Sequence, residues 1–349
     1  MRAAVLTEFG APLQVRDLPR PEATPESAVV RVEACGICRS DWHAWRGDWP
    51  SVEPPRVLGH ELGGVVEEVG AGVRSFQAGD RVTSPFHQAC GRCGHCYGGR
   101  SNICKANGVI GITFDGGYGR YVRVPAADVN LVRLPEEVDF LGAAALGCRF
   151  MTAWHGLVDR ARVVPGEWVA VFGAGGIGLS AVQIASALGA RVIAVDIDEG
   201  KLARAGEEGA VAGVDAGSCD AAEAVRDLSG GGADLSLDAL GSSRTARPAL
   251  ASLRKGARHL QIGMSTPEEE AEEGHLALPV DQMIRDEISF VTSLGCPTTS
   301  YPRLLALVAS GRLDPARLVS ATVGVDAAGG VLAEMTAFGT VGFTVIDTW

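Results

Sequence analysis

Trp168-Val169-Ala170-Val171-Phe172-Gly173-Ala174-Gly175-Gly176-Ile177-Gly178 is the stretch that decides the fold of this 349-residue chain. Five apolar residues lead into a glycine turn, and helical character follows to Leu188. Strands of a parallel sheet covered on both faces read as unbroken apolar runs, so the first five residues predict a buried strand. Gly173 permits the tight turn, Gly175 lets a pyrophosphate approach the backbone, and Gly178 lets the helix pack close to the strand. The next strand, Arg191 to Asp196, ends in a carboxylate suited to accept hydrogen bonds from an adenosine ribose and to repel a 2′-phosphate. Together these predict a dinucleotide site that prefers NAD(H) to NADP(H), with Gly173, Gly175, Gly176, Ile177, Gly178 and Asp196 on the cofactor. Lys201 is in reach of the same ribose, although a lysine in a first helical turn is also simply solvated.

Working outward, Trp168 to Ala190 carries no charged residue and is long enough to cross a bilayer. The glycine turn and Ser180, Gln183 and Ser186 favour strand, turn and helix instead. Strands at Leu235 to Asp238 and Arg258 to Ile262 alternate with helices near Ile177 to Leu188, Gly200 to Gly206, Ala221 to Leu228 and Ser243 to Leu253. A helix is also read over Phe140 to Arg160. Such alternation predicts an α/β domain with a doubly wound parallel sheet. Before it, short strands broken by Gly and Pro (Val29 to Ala34, Gly63 to Val69, Arg81 to Ser84, Gly119 to Val124) predict a β-rich domain. The tail from about Gly295, ending in strand-like Val341 to Ile346, is expected to rejoin that first domain.

The composition, 46% hydrophobic and 21% charged, is that of a globular protein, and the net charge of −11 disfavours nucleic-acid and anionic-membrane partners. Met1 opens a strand-like segment without the succession of a secretory signal, which leads to the expectation of a cytoplasmic protein. The acidic tract Glu268 to Glu273 reads as a solvated loop.

The nine cysteines are an odd number in a chain expected where disulfides are disfavoured. Cys90, Cys93, Cys96 and Cys104 lie in a glycine-rich lobe with little apolar content of its own. Four thiolates close a tetrahedral coordination sphere and can order a loop that has no core, so a structural metal is predicted there. Cys38-Arg39-Ser40-Asp41-Trp42-His43 and Gly59-His60-Glu61 gather the donors of an open zinc site. Cys35-Gly36-Ile37-Cys38 is also consistent with a redox pair or with two small buried residues. Cys148, in Leu146-Gly147-Cys148-Arg149-Phe150, suits a core position as well as a ligand.

In their order and spacings these segments, with Phe76-Gln77-Ala78-Gly79-Asp80-Arg81-Val82, resemble the zinc-dependent alcohol dehydrogenases of the medium-chain dehydrogenase/reductase family over essentially the whole chain. The resemblance implies a GroES-like catalytic domain over residues 1–148 and 295–349 and a Rossmann domain over 149–294. It implies two zinc ions per chain, a catalytic one on Cys38, His60 and Cys148 and a structural one on Cys90, Cys93, Cys96 and Cys104. A Cys2His set is this family's own known arrangement, so it adds no independent support. Glu61 matches an acid that can approach the metal, Asp41 the partner of the ligand histidine, and Arg39 a contact to the cofactor pyrophosphate. Ser40 and His43 match the ends of a proton relay, and Trp49 and Phe86 match substrate-pocket aromatics. One departure is visible: the arginine that some members place near Val341-Gly342-Phe343 is missing.

The implied activity is reversible hydride transfer between a primary or secondary alcohol (aldehyde or ketone) and NAD, by a homo-oligomer, dimer or tetramer, with no nucleic-acid or membrane partner. Alternatives on the same scaffold are a polyol, amino-alcohol or glutathione-adduct dehydrogenase. A dinucleotide-binding protein without turnover would have no need of Ser40, His43 and a three-donor metal site together.

Overall fold

The computed structural model describes residues 1–264, 276, 278–337 and 340–349, and the acidic tract at 268–273 lies outside them. The chain forms two compact units, Met1–Met151 with Gly295–Trp349, and Thr152–Leu294. No loop marks the first passage, at Met151–Thr152, whereas the return at Leu294–Gly295 lies in a loop. Phe140–Ala145 continues as a π-turn over Leu146–Phe150, then as the helix Met151–Trp154 and a second π-turn, His155–Arg160. The single helix read over this segment is therefore interrupted, with Gly147 at a non-helical ψ of −141°.

In the first unit the main sheet runs, in spatial order, Val132–Arg133, Arg81–Thr83, Glu61–Val69, Ala28–Ile37, Phe343–Thr348 and Val319–Gly324, with Tyr121–Val124 also paired to Ala28–Ile37. A smaller sheet joins Gln14–Asp17, Arg2–Leu6 and Arg56–Val57. Val30, Val32, Ile37, Leu62, Val66 and Val122 fill the core between them and are all within 1% of full burial. Each such side chain contributes roughly 1.5–3 kcal/mol on leaving water. The antiparallel register sets Gly36 opposite Glu61 and Cys35 opposite Leu62. The residue that follows Ile37 and the residue that precedes Glu61 are therefore neighbours at one end of the sheet.

The second unit carries the parallel sheet, in the order Ala210–Asp215, Arg191–Asp196, Trp168–Phe172, Ala233–Asp238, Leu253–Gln261, Ser289–Thr292. All neighbours are parallel. Counted along the chain this is 3-2-1-4-5-6, the doubly wound arrangement whose order reverses at Trp168–Phe172. The long apolar run resolves into that strand, the glycine turn and the helix Gly176–Ala187, which buries Leu179, Val182 and Ile184. The strands Ala210–Asp215 and Ser289–Thr292 were not anticipated. Both lie at sheet edges and are partly exposed, and neither alternates apolar with polar residues along the strand. Among the described residues, no helix is long and apolar enough to cross a membrane.

Candidate functional site

Among the described residues two clusters of metal donors form, both inside the first unit. At the end of its main sheet the donor atoms of Cys38, His60, Glu61 and Cys148 all lie within 4.8 Å of one another. Cys38 follows the strand Ala28–Ile37 and is the N-cap residue of the helix Arg39–Arg46, His60 precedes the strand Glu61–Val69, and Cys148 is carried by the π-turn. The imidazole Nε2 of His60 is buried and has no hydrogen-bond partner. A buried polar atom left unsatisfied costs free energy unless something completes it. Two sulfurs and this nitrogen are a donor set that zinc fits.

Asp41 organises the cluster. Its Oδ2 accepts the backbone N–H of Cys38 at 2.9 Å, which fixes the start of the helix, and its Oδ1 accepts from Gly59 N at 3.1 Å and from His60 Nδ1 at 2.9 Å. The last bond leaves Nε2 as the lone-pair nitrogen toward the two sulfurs. Electrostatics follow the same plan. Its hydrogen bond with Cys148 holds the Cys38 thiol well below its ordinary value, and Cys148 is pushed well above its own, so the two sulfurs share a proton that a metal would displace.

Asp41→Asn is expected to weaken zinc retention at this cluster by about 10- to 100-fold, because the amide cannot supply three acceptor bonds. Chelator competition measures it, with the four-cysteine lobe as internal control. Equal loss from both sites, or from neither, would refute the assigned role.

Glu61 is fully buried, and burial pushes its carboxyl up to about 7 against the pull of the Arg149 guanidinium. Arg149, which the sequence did not single out, donates to it from Nε, Nη2 and the backbone N–H. Phe86 meets the His60 ring edge-on, with centroids 5.9 Å apart. Ser40 Oγ lies 4.0 Å from Cys148 Sγ. His43 pairs through Nδ1 with Asp48 at 2.7 Å and stacks on Trp49. Asp48 was not anticipated either. Arg39 contacts the Met335 carbonyl oxygen and lies 3.5 Å over the Trp42 ring.

In the lobe, sulfur separations are 3.5 Å for Cys93–Cys96, 3.8 Å for Cys93–Cys104 and 3.4 Å for Cys90–Cys104. Zn–S bonds of about 2.3 Å in a tetrahedron place sulfurs ~3.8 Å apart, so the lobe fits zinc. Backbone N–H groups of Lys105 and Cys96 hold the Cys93 thiol down to about 5, while burial and the neighbouring sulfurs push Cys96 up to about 12.

In the second unit, Gly173 has φ +90°, and a Cβ on Gly178 would lie 1.8 Å from the Gly173 carbonyl oxygen. A Cβ on Gly175 would meet nothing within 4 Å, which leaves the backbone N–H groups at the head of the helix Gly176–Ala187 open to an anionic group. Ile177 sits in that first turn, and Lys201 Nα–H is bound by the Asp198 cap. Asp196 has more to do than the sequence reading gave it. Oδ2 accepts from Ala174 N at 2.7 Å, and Oδ1 from Ile197 N and Asp198 N at 2.8 and 3.1 Å. It ties the glycine turn to its own strand and keeps one lone-pair direction of Oδ2 for a ligand. Asp238 plays a parallel part, accepting from Leu240 N and Gly241 N in the loop against which Gly173 packs.

Two family models match the chain: the alcohol dehydrogenase GroES-like domain over residues 24–136 and the zinc-binding dehydrogenase domain over 176–310. An alcohol dehydrogenase of Geobacillus stearothermophilus is 36% identical over 317 residues, 90% of each chain. A sorbitol dehydrogenase of Halalkalibacterium halodurans is 32% identical over 328 residues, 92% of each. The solved alcohol dehydrogenase TADH from Thermus sp. ATN1 superposes with a TM-score of 0.92 at 33% identity, covering 100% of both chains.

Proposed function

The chain belongs to the zinc-dependent alcohol dehydrogenases of the medium-chain dehydrogenase/reductase family, and from this we propose that it oxidises small alcohols with NAD as its hydride acceptor. The observation that carries the reading is the convergence of Cys38, His60 and Cys148 around an unsatisfied imidazole nitrogen.

In this reading Cys38, His60 and Cys148 hold the catalytic zinc and Cys90, Cys93, Cys96 and Cys104 the structural one. When bound, the catalytic zinc acidifies an alcohol hydroxyl, as it lowers the pKa of water from about 16 to about 7. A nicotinamide cofactor held by the glycine turn and Asp196 would supply the hydride acceptor. Two thiolates and a neutral imidazole balance the charge of a divalent ion, so the site receives a neutral alcohol. Ser40 Oγ, beside Cys148, accepts the hydroxyl proton, and His43, paired with Asp48, releases it to solvent. Phe86 and Trp49 wall the substrate. The helix-head amides around Gly175, Gly176 and Ile177 bind the pyrophosphate, and Asp196 and Lys201 take the ribose.

Asp196 supports NAD over NADP. Two unit charges about 4 Å apart near a protein surface repel by about 4 kcal/mol, and solvent exposure discounts that to roughly a 100-fold preference in kcat/KM. Steady-state rates with both cofactors at saturating alcohol measure it, and parity would sink the assignment.

The main test is metal analysis beside NADH formation on a panel of simple alcohols, polyols and amino alcohols. Two zinc ions per chain and turnover of simple alcohols are the expected result. The likeness to a sorbitol dehydrogenase favours a polyol as second reading, and the polyol arm decides it. A homo-oligomer and a cytoplasmic location belong to the same proposal. Val280 and Ile284 are exposed on the helix Val280–Asp286 just before the edge strand Ser289–Thr292, a surface suited to self-association; light scattering measures the mass.

A further inference from the structure

Glu61 is enclosed against three metal donors whose charge balance does not need it. One of its oxygens lies within 4.8 Å of the donor atoms of Cys38, His60 and Cys148. A carboxylate there is a ready oxygen ligand, and its binding would complete the coordination sphere that a substrate must enter. The fold restrains it on every side. A Cβ on Gly36 would meet Glu61 Oε2 at 2.1 Å and one on Gly147 would meet Glu61 Cβ at 2.4 Å, so both neighbours are glycines of necessity. The remaining contacts come from Arg149. Its Nε donates to Oε1 at 3.0 Å, its Nη2 to Oε2, and its backbone N–H to Oε1 at 3.2 Å. The guanidinium lies over the Phe343 ring, 3.7 Å from the centroid, with 8% of the side chain exposed. A forked, stacked arginine has one geometry, and a lysine could not reproduce it.

We propose that Arg149 is a positioning residue whose forked bond holds the Glu61 carboxylate out of the metal's coordination sphere and keeps the fourth position open to the alcohol. The inference rests on Cys38, His60 and Cys148 being the zinc donors. The clamp also ties the segment that carries His60 to the segment that carries Cys148, since Arg149 follows one donor directly and Glu61 the other.

The test replaces catalytic zinc by cobalt(II), whose visible bands report the donor set. Arg149→Met is expected to alter the band pattern in the absence of substrate, to slow cobalt release to a chelator by about tenfold through the added ligand, and to raise KM for alcohol. Glu61→Gln with Arg149→Met is expected to restore the parent bands. If Arg149→Met leaves bands and release unchanged, or if the double variant keeps altered bands, the proposal is overturned. Glu61→Gln alone decides the matter even if Arg149→Met folds poorly, because a carboxylate already outside the sphere can be replaced without changing the bands. A changed spectrum in that variant refutes the clamp. Cys38→Ala serves as the separate control: if it keeps the parent cobalt spectrum, the donor assignment itself has failed, whatever Arg149 does.

Discussion

Cys38→Ala is expected to lower alcohol turnover by about 10⁴-fold or more while the protein stays folded. The acidification that zinc supplies spans about nine pKa units, and at 1.36 kcal/mol per unit this is of order 12 kcal/mol. Forfeiting even half of that is about 6 kcal/mol, or roughly four decades in rate. The fold loses far less. Cys38 is a small side chain, 2% exposed, and the cap of the helix Arg39–Arg46 uses its backbone N–H, bound to Asp41, which alanine retains. The excised sulfur leaves a small cavity worth about 1 kcal/mol. Zinc content should fall from two ions per chain to one, with the circular-dichroism spectrum unchanged. Substantial turnover in this variant would remove the case for the catalytic centre.

Cys93→Ala is expected to act in the opposite way, on stability first and chemistry second. The lobe around Cys90, Cys93, Cys96 and Cys104 has few apolar side chains of its own, and Tyr97 and Ile103 are exposed. The sulfur cluster gathers its turns, whose backbone bonds are local, and Thr298 and Thr299 bond Ser101 and Gly99. Three remaining thiolates bind zinc much more weakly than four, and metal-binding free energy in such lobes is folding free energy. A loss of roughly 3–5 kcal/mol should lower Tm by about 4–7 °C in a chain of this size. Thermal scans with and without chelator give the check. Chelator should depress the parent and leave the variant where it is. Equal melting of parent and variant would show that the lobe orders itself without metal.

The strand-turn-helix at Trp168–Ala187 was legible because a doubly covered strand carries its apolar run in the open and the glycines are forced by sterics: a Cβ at Gly178 has nowhere to go. Edge strands such as Ala210–Asp215 were not legible, since half-exposed small residues give no period to read. The four-cysteine lobe announced itself through close spacing. The third donor, Cys148, did not, because 88 residues separate it from His60 and only the resemblance brought it forward. Arg149 was invisible for the same reason. Nothing local tells an arginine that its partner is Glu61, |i−j| = 88 away, and the π-turn that aims both Cys148 and Arg149 hinges on the ψ of Gly147. Asp196 was read correctly as a carboxylate at a strand end, while its three bonds to backbone N–H groups depend on a turn geometry no motif encodes.

The strand Phe343–Thr348 pairs with Ala28–Ile37 at Thr344–Ile37, Val345–Gly36 and Ile346–Cys35. On the ribosome these six residues are made more than 300 residues after the strand Ala28–Ile37, so the segment that leads into Cys38 waits with a bare flank for that stretch of synthesis. The nucleotide-binding half can therefore fold before the half that grips the metal is whole. Zinc loading becomes a late event in the birth of the molecule, and a nascent chain stalled before residue 343 should display an unpaired β-edge to the quality-control machinery.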